Sequence, residues 1–230
     1  MKIIFVGPSL PDARSLVGGE ITTLGPAIQG DVLAAVQQGA DVIGIVDGGF
    51  EYVAPVRHKE ILYALSQNVT VFGAASMGAL RAAECQTYGM IGIGRIFGEY
   101  ASGLTMDDAD VALQHAPLEY GYAPLTVPLV NVRATLDRLE VEGRIKGQLR
   151  VLLEQAASRL FFKQRTWSMI VATCDGINSP QRQELLSTLT SNAVDQKRID
   201  ALELVDAMRS AGGVRDDRAR LWRLNHTRLS

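Results

Sequence analysis

Three short apolar runs set the frame of this chain. They are residues 3–6 (IIFV), 42–46 (VIGIV) and 69–72 (VTVF), each rich in β-branched or aromatic side chains. Each stops at a turn signal: Gly7-Pro8-Ser9, Asp47-Gly48-Gly49 and Gly73-Ala74-Ala75. Continuous runs of this length predict strands buried on both faces. Helical patterns alternate with them. Residues 31–38 form a short candidate ended by Gly39. Residues 56–66 place Val56, Ile61, Leu62 and Leu65 near a 3.6-residue period. Residues 77–85 follow the third strand. Residues 8–30 are rich in Gly, Pro, Ser and Thr and read as a loop. Alternating strand and helix predicts an α/β fold, a parallel sheet flanked by helices. Ligands in such sheets bind at the carboxyl ends of the strands. The loops 7–30, 47–55 and 73–76 should therefore be neighbours.

The pattern changes near residue 130. Residues 131–210 show charged faces with Leu/Ala stripes, broken at Gly143, Gly147, Asp175-Gly176 and Pro180. This predicts two domains: an α/β core over 1–130, and a C-terminal α-helical lobe with its tail over 131–230. The tail, residues 214–230, is modestly basic and reads as a solvated helix or frayed terminus. Amphipathic helices beyond what a core needs point to partner docking.

Composition narrows the classes. Of 230 residues 47% are hydrophobic, and the net charge is −2. That balance gives no electrostatic reason to expect nucleic acid or an anionic membrane as partner. Two cysteines, Cys85 and Cys174, are too few for a disulfide framework. The opening MKIIFVG is too short for a signal-peptide core, and no stretch reads as a membrane span. A cytoplasmic setting is expected.

The candidate chemistry lies in VTVFGAASMGALRAAE, residues 69–84, where strand meets helix at Ser76 among small residues. A serine on such a turn can be a nucleophile, exposed by the bend and facing the helix N-terminus. Met77 would then supply an oxyanion-binding amide. The same serine can simply cap the helix, or cradle a phosphate there. His58 is the best-placed base, at the start of the helix after the second strand, with Lys59 as its alternative. Asp47 can orient a base or bond loop amides. Gly48 and Gly49 leave backbone N–H groups for a second oxyanion donor or form a plain tight turn. Arg81 and Glu84 share a helix face, as an ion pair or with Arg81 as a carboxylate-binding group. Cys85 reads as a packed residue rather than a sulfur acceptor. The spacing of Asp107, Asp108, Asp110 and His115 fits no zinc or EF-hand pattern, so no metal is expected. It reads instead as an acidic loop that engages a partner.

Four blocks in order, DGGFEYVAPVRHKEI, VFGAASMGALRAAE, YGMIGIGRIFGEY and DDADVALQH, resemble the TfuA-like family over about residues 1–130. The seven-residue GAASMGA is also similar to the serine block of Clp-type proteases. The first resemblance implies a partner of YcaO enzymes in peptide thioamide biosynthesis, linked to sulfur transfer from a ThiS-like sulfur carrier protein. It implies a hydrolase activity that frees sulfide from the carrier's thiocarboxylate. The precursor peptide would be met only indirectly, and no cofactor is expected. Ser76, His58 and Lys59 stand at the family's recurring polar positions. A non-catalytic adaptor that docks YcaO and the precursor peptide is the alternative.

Overall fold

The structure is a computed structural model that describes residues 1–49, 51–105 and 107–212, with Trp222 and Leu224. Apart from those two residues, the basic tail read at 214–230 lies outside the described residues. The chain forms two compact units: residues 1–106 with 197–230, and residues 107–196. The division expected near 130 thus falls at 107, and the chain returns to the first unit at 197.

The first unit holds a five-stranded sheet, every pair parallel, in the order β2-β1-β3-β4-β5. Its strands are β1 (Lys2–Phe5), β2 (Ile21–Leu24), β3 (Val42–Ile45), β4 (Thr70–Gly73) and β5 (Ile91–Gly92). β2 lies in the segment read as loop. It is an edge strand, with Thr22 and Leu24 exposed and only Ile21 buried. One-sided burial explains why its sequence, ITTL, carries no continuous apolar run.

Side chains alternate across the sheet. On one face Ile3, Phe5, Ile43, Ile45 and Val71 meet helices α2 (Asp31–Gln37), α3 (His58–Ser66) and α4 (Met77–Cys85). On the other, Ile4, Val6, Val42, Val46 and Phe72 meet α1 (Ala13–Val17) and a helix from the far end of the chain, Gln196–Ser210. That last helix, numbered α10 in chain order, buries Ala201, Leu204, Val205 and Met208. The larger three contribute about 1.5–3 kcal/mol each. Gly44 in β3 makes the approach possible. A Cβ there would stand 2.9 Å from Leu204 Cδ2 and collide with Met208 Sδ. Residues 197–210 therefore read as lobe by composition yet serve as the sheet's second cover.

α5 (Gly94–Ala101) follows β5, and its start is capped by Asp200 of α10, whose Oδ2 accepts Ile96 N–H at 2.8 Å. The second unit is helical: α6 (Leu129–Val141), α7 (Gly147–Arg159), α8 (Trp167–Thr173) and α9 (Ser179–Ser191) enclose Leu136, Leu139, Leu153, Ile170 and Leu189. α9 opens on a reciprocal cap. Asn178 Oδ1 accepts Gln181 N–H at 3.1 Å and Gln181 Oε1 accepts Asn178 N–H at 3.2 Å. Asp110, from the acidic loop, turns onto Arg133 at 2.9 Å, and burial raises its pKa against the pull of that guanidinium.

Candidate functional site

The order β2-β1-β3-β4-β5 reverses direction between β1 and β3, and the carboxyl ends of strands at such a point are where open parallel sheets bind ligands. The segments leaving β1, β3 and β4 carry the polar groups of interest.

β4 passes into α4 through Ala74, Ala75 and Ser76. Ser76 N–H donates to Ala74 O at 2.7 Å, and Ala75 between them has φ +65°. A three-residue turn of this kind is strained for any residue with a Cβ. Burial holds it, since Ala74 and Ala75 are both 0% exposed. Gly78 is small for a related reason: a Cβ there would enter the Ile45 carbonyl. α4 thus begins pressed onto the end of β3, with Gly78 N–H donating to Val46 O at 3.2 Å.

Ser76 is half-buried and its side chain makes no capping hydrogen bond. Its backbone, at φ −131° and ψ −129°, is turned out of the extended conformation from which an N-cap hydroxyl reaches the helix amides. The capping role open to it in the sequence is therefore not the one it adopts. Among the described residues Ser76 Oγ has no hydrogen-bond partner, and neither has Met77 N–H.

The loop after β3 lies against this elbow. A Cβ on Gly48 would stand 2.7 Å from Met77 Cγ. Gly49 N–H is committed to Ala27 O at 2.8 Å and is not available to a ligand in this arrangement. Gly48 N–H has no partner among the described residues. Asp47 is buried and organises the loop after β1. Its Oδ2 accepts Gly7 N–H at 2.8 Å and Ser9 N–H at 3.0 Å, and its Oδ1 accepts the Ser9 hydroxyl at 2.6 Å. Lys197, from the first turn of α10, brings its Nζ to 3.9 Å from the same Oδ1. Asp47 therefore accepts from loop amides and the Ser9 hydroxyl, and its charge faces a buried ammonium.

His58 and Lys59 open α3, and both are exposed. His58 Nε2 lies 2.8 Å from Glu84 Oε2, the oxygen that also takes Arg81 Nη1 at 2.6 Å. Arg81 in turn donates from Nε to Val56 O at 3.1 Å, tying α4 to the entry of α3. Arg81 thus pairs within its own helix and braces α3. Glu84 stands eight residues beyond Ser76 in α4, about 12 Å along a helix axis. The structure groups His58 with Glu84 and Arg81, and Ser76 with Met77 and Gly48. Cys85 is buried, and its thiol is pushed up to about 11, first by desolvation and then by the Glu84 charge, against Arg81. That makes it unreactive at neutral pH.

Sequence reasoning missed Ser9 and Lys197. Ser9 had a signal, since it follows the first strand at its carboxyl end. Lys197 had none, because Gln196-Lys197-Arg198 reads as a solvated helical turn. Among the described residues no helix is long and apolar enough to cross a membrane. Nor, among them, do three or more His, Cys, Asp or Glu residues gather as a metal site.

A family model described as TfuA-like protein matches residues 47–166, a little over half of the chain. It takes in Asp47, Gly48, His58, Lys59 and Ser76, and leaves Ser9 and Lys197 outside. Comparison with curated proteins gave no match. The chain belongs to the TfuA-like family.

Proposed function

We propose that this TfuA-like protein is the sulfur-delivery component of peptide backbone thioamidation, releasing sulfide from the thiocarboxylate of a ThiS-like carrier for a YcaO partner. The family assignment is consistent with a role in thioamide biosynthesis beside a YcaO enzyme. The observation that carries the finer reading is Ser76 itself. Its hydroxyl is without a partner among the described residues, on a strained turn, next to the unpaired Met77 N–H.

The chemistry follows from those groups. Ser76 Oγ attacks the thiocarboxylate carbon while its proton passes to a base. Met77 N–H stabilises the oxyanion. The C–S bond breaks, sulfur leaves as hydrosulfide with one proton, and an ester on Ser76 remains. Water then hydrolyses that ester to the carrier's carboxylate and restores the hydroxyl. His58 and Lys59 are the candidate bases, and His58 must first leave Glu84.

That same held histidine favours a second reading, a non-catalytic adaptor that docks YcaO and the precursor peptide. Thiocarboxylated carrier mixed with purified protein separates the two. Sulfide release that disappears in Ser76→Ala supports the hydrolase. Full release in that variant overturns the nucleophile, and none from the wild type supports the adaptor.

A further inference from the structure

Gly48 occupies an unusual position in the hydrogen-bond pattern. Residues 27 and 48 form a parallel bridge, made by Ala27 N–H to Asp47 O at 2.8 Å and Gly49 N–H to Ala27 O at 2.8 Å. In such a bridge the bonds come from the neighbours of residue 48. Gly48's own N–H and C=O turn to the opposite side of the strand. Residue 27 extends the β1–β2 side of β3, whereas the Ser76 elbow extends β4, on β3's other side. Gly48 thus offers one donor and one acceptor toward the elbow, and neither has a partner among the described residues.

This is an open strand edge one residue long, beside a candidate nucleophile. Side chains crowd both faces of the strand here. A Cβ at Gly48 would meet Met77 at 2.7 Å, and a Cβ at Gly49 would meet Ile28 Cγ2 at 2.8 Å and collide with Val53. Successive strand positions face opposite ways, so Met77 walls one face and Ile28 with Val53 the other. A chain entering between them can pair with Gly48 only if its own side chains are small.

We propose that Gly48 is a main-chain subsite, at which an extended C-terminal peptide segment of small residues pairs as an added strand and brings its last carbonyl to Ser76. The subsite deepens, and rests on, the reading of Ser76 as the group that meets a carrier's tail. Recognition is by backbone hydrogen bonds, as in strand addition to a sheet edge, with exclusion of bulk as the selectivity. The rest of the carrier need not be read at this position.

The test uses the full chain as Ser76→Ala, labelled with nitrogen-15, and a synthetic octapeptide ending in Gly-Gly with a free carboxylate. Titration is expected to move the Gly48 amide proton downfield. N-methylation at one of the last three peptide residues should weaken binding about five- to tenfold, the loss of one hydrogen bond. Replacing Gly-Gly by Val-Val should weaken it at least tenfold. An unmoved Gly48 amide, or equal affinity for every N-methylated peptide, overturns the subsite. A Gly48 shift with the N-methyl penalty, in a protein whose wild type releases no sulfide, upholds the subsite and removes only the hydrolase reading.

Discussion

Lys197 Nζ stands 3.9 Å from Asp47 Oδ1, and both side chains are 3% exposed. The pair joins the last helix of the first unit to the loop after β3. Asp47 also receives two amides and a hydroxyl from residues 7 and 9, so its charge is held from both sides. Removing the ammonium leaves Asp47 its three donors but takes away its counter-charge, so the loss stays below the ~3–5 kcal/mol of a fully uncompensated buried charge. Lys197→Ala is expected to lose about 1–3 kcal/mol in urea denaturation. Lys197→Met combined with Asp47→Asn removes both charges and should lose clearly less than the two single losses summed.

Ser76→Ala separates chemistry from stability. A serine that caps a helix loses about 1 kcal/mol on replacement by alanine. Ser76 makes no capping bond, so its alanine variant should unfold within about 0.5 kcal/mol of the wild type. A loss above 1 kcal/mol would show that the hydroxyl holds the helix after all.

The base can be assigned by substitution. His58 Nε2 lies 2.8 Å from Glu84 Oε2, so His58→Ala is expected to keep most of the sulfide-releasing activity. A loss of at least about tenfold in His58→Ala, with Lys59→Ala near wild type, would assign the role to the histidine.

Cys85 gives a titration with a definite sign. Its folded pKa is about 11, above the ordinary thiol value, chiefly because burial disfavours the thiolate. The folded state keeps a proton that the unfolded chain gives up at lower pH. This contribution is whole below the unfolded pKa and fades as pH rises toward the folded one. Stability should therefore fall between about pH 9 and 11, by on the order of 2 kcal/mol from this group, and Cys85→Ala should flatten that limb. Iodoacetamide at pH 8 should label Cys85 only after denaturation.

Much of the sheet was legible because β1, β3 and β4 are buried on both faces and announce themselves as apolar runs. β2 was not, since an edge strand with one covered face has a mixed sequence. The elbow was legible for a local reason: Gly73 and Gly78 are small because backbone passes close to them, and Ala74 and Ala75 between them are fully buried. The position of His58 was not, because its partner Glu84 is set by how α3 packs on α4. Lys197 lies 150 residues from Asp47 in sequence, and no local pattern encodes such a pairing.

The return of α10 to the first unit leads to a last prediction. A chain ended at residue 130 would follow the compositional boundary and retain all five strands. It would lose Ala201, Leu204, Val205 and Met208 from one face of the sheet, together with Lys197 beside Asp47 and Asp200 at the start of α5. Ile4, Val42, Val46 and Phe72 would keep only the short α1 as cover on that face, with Gly44 left bare. A parallel sheet needs both faces covered. The truncated chain is expected to aggregate, or to show no cooperative thermal transition by circular dichroism. A monomeric 1–130 fragment with a sharp transition would overturn the role given to α10 and restore the division near 130.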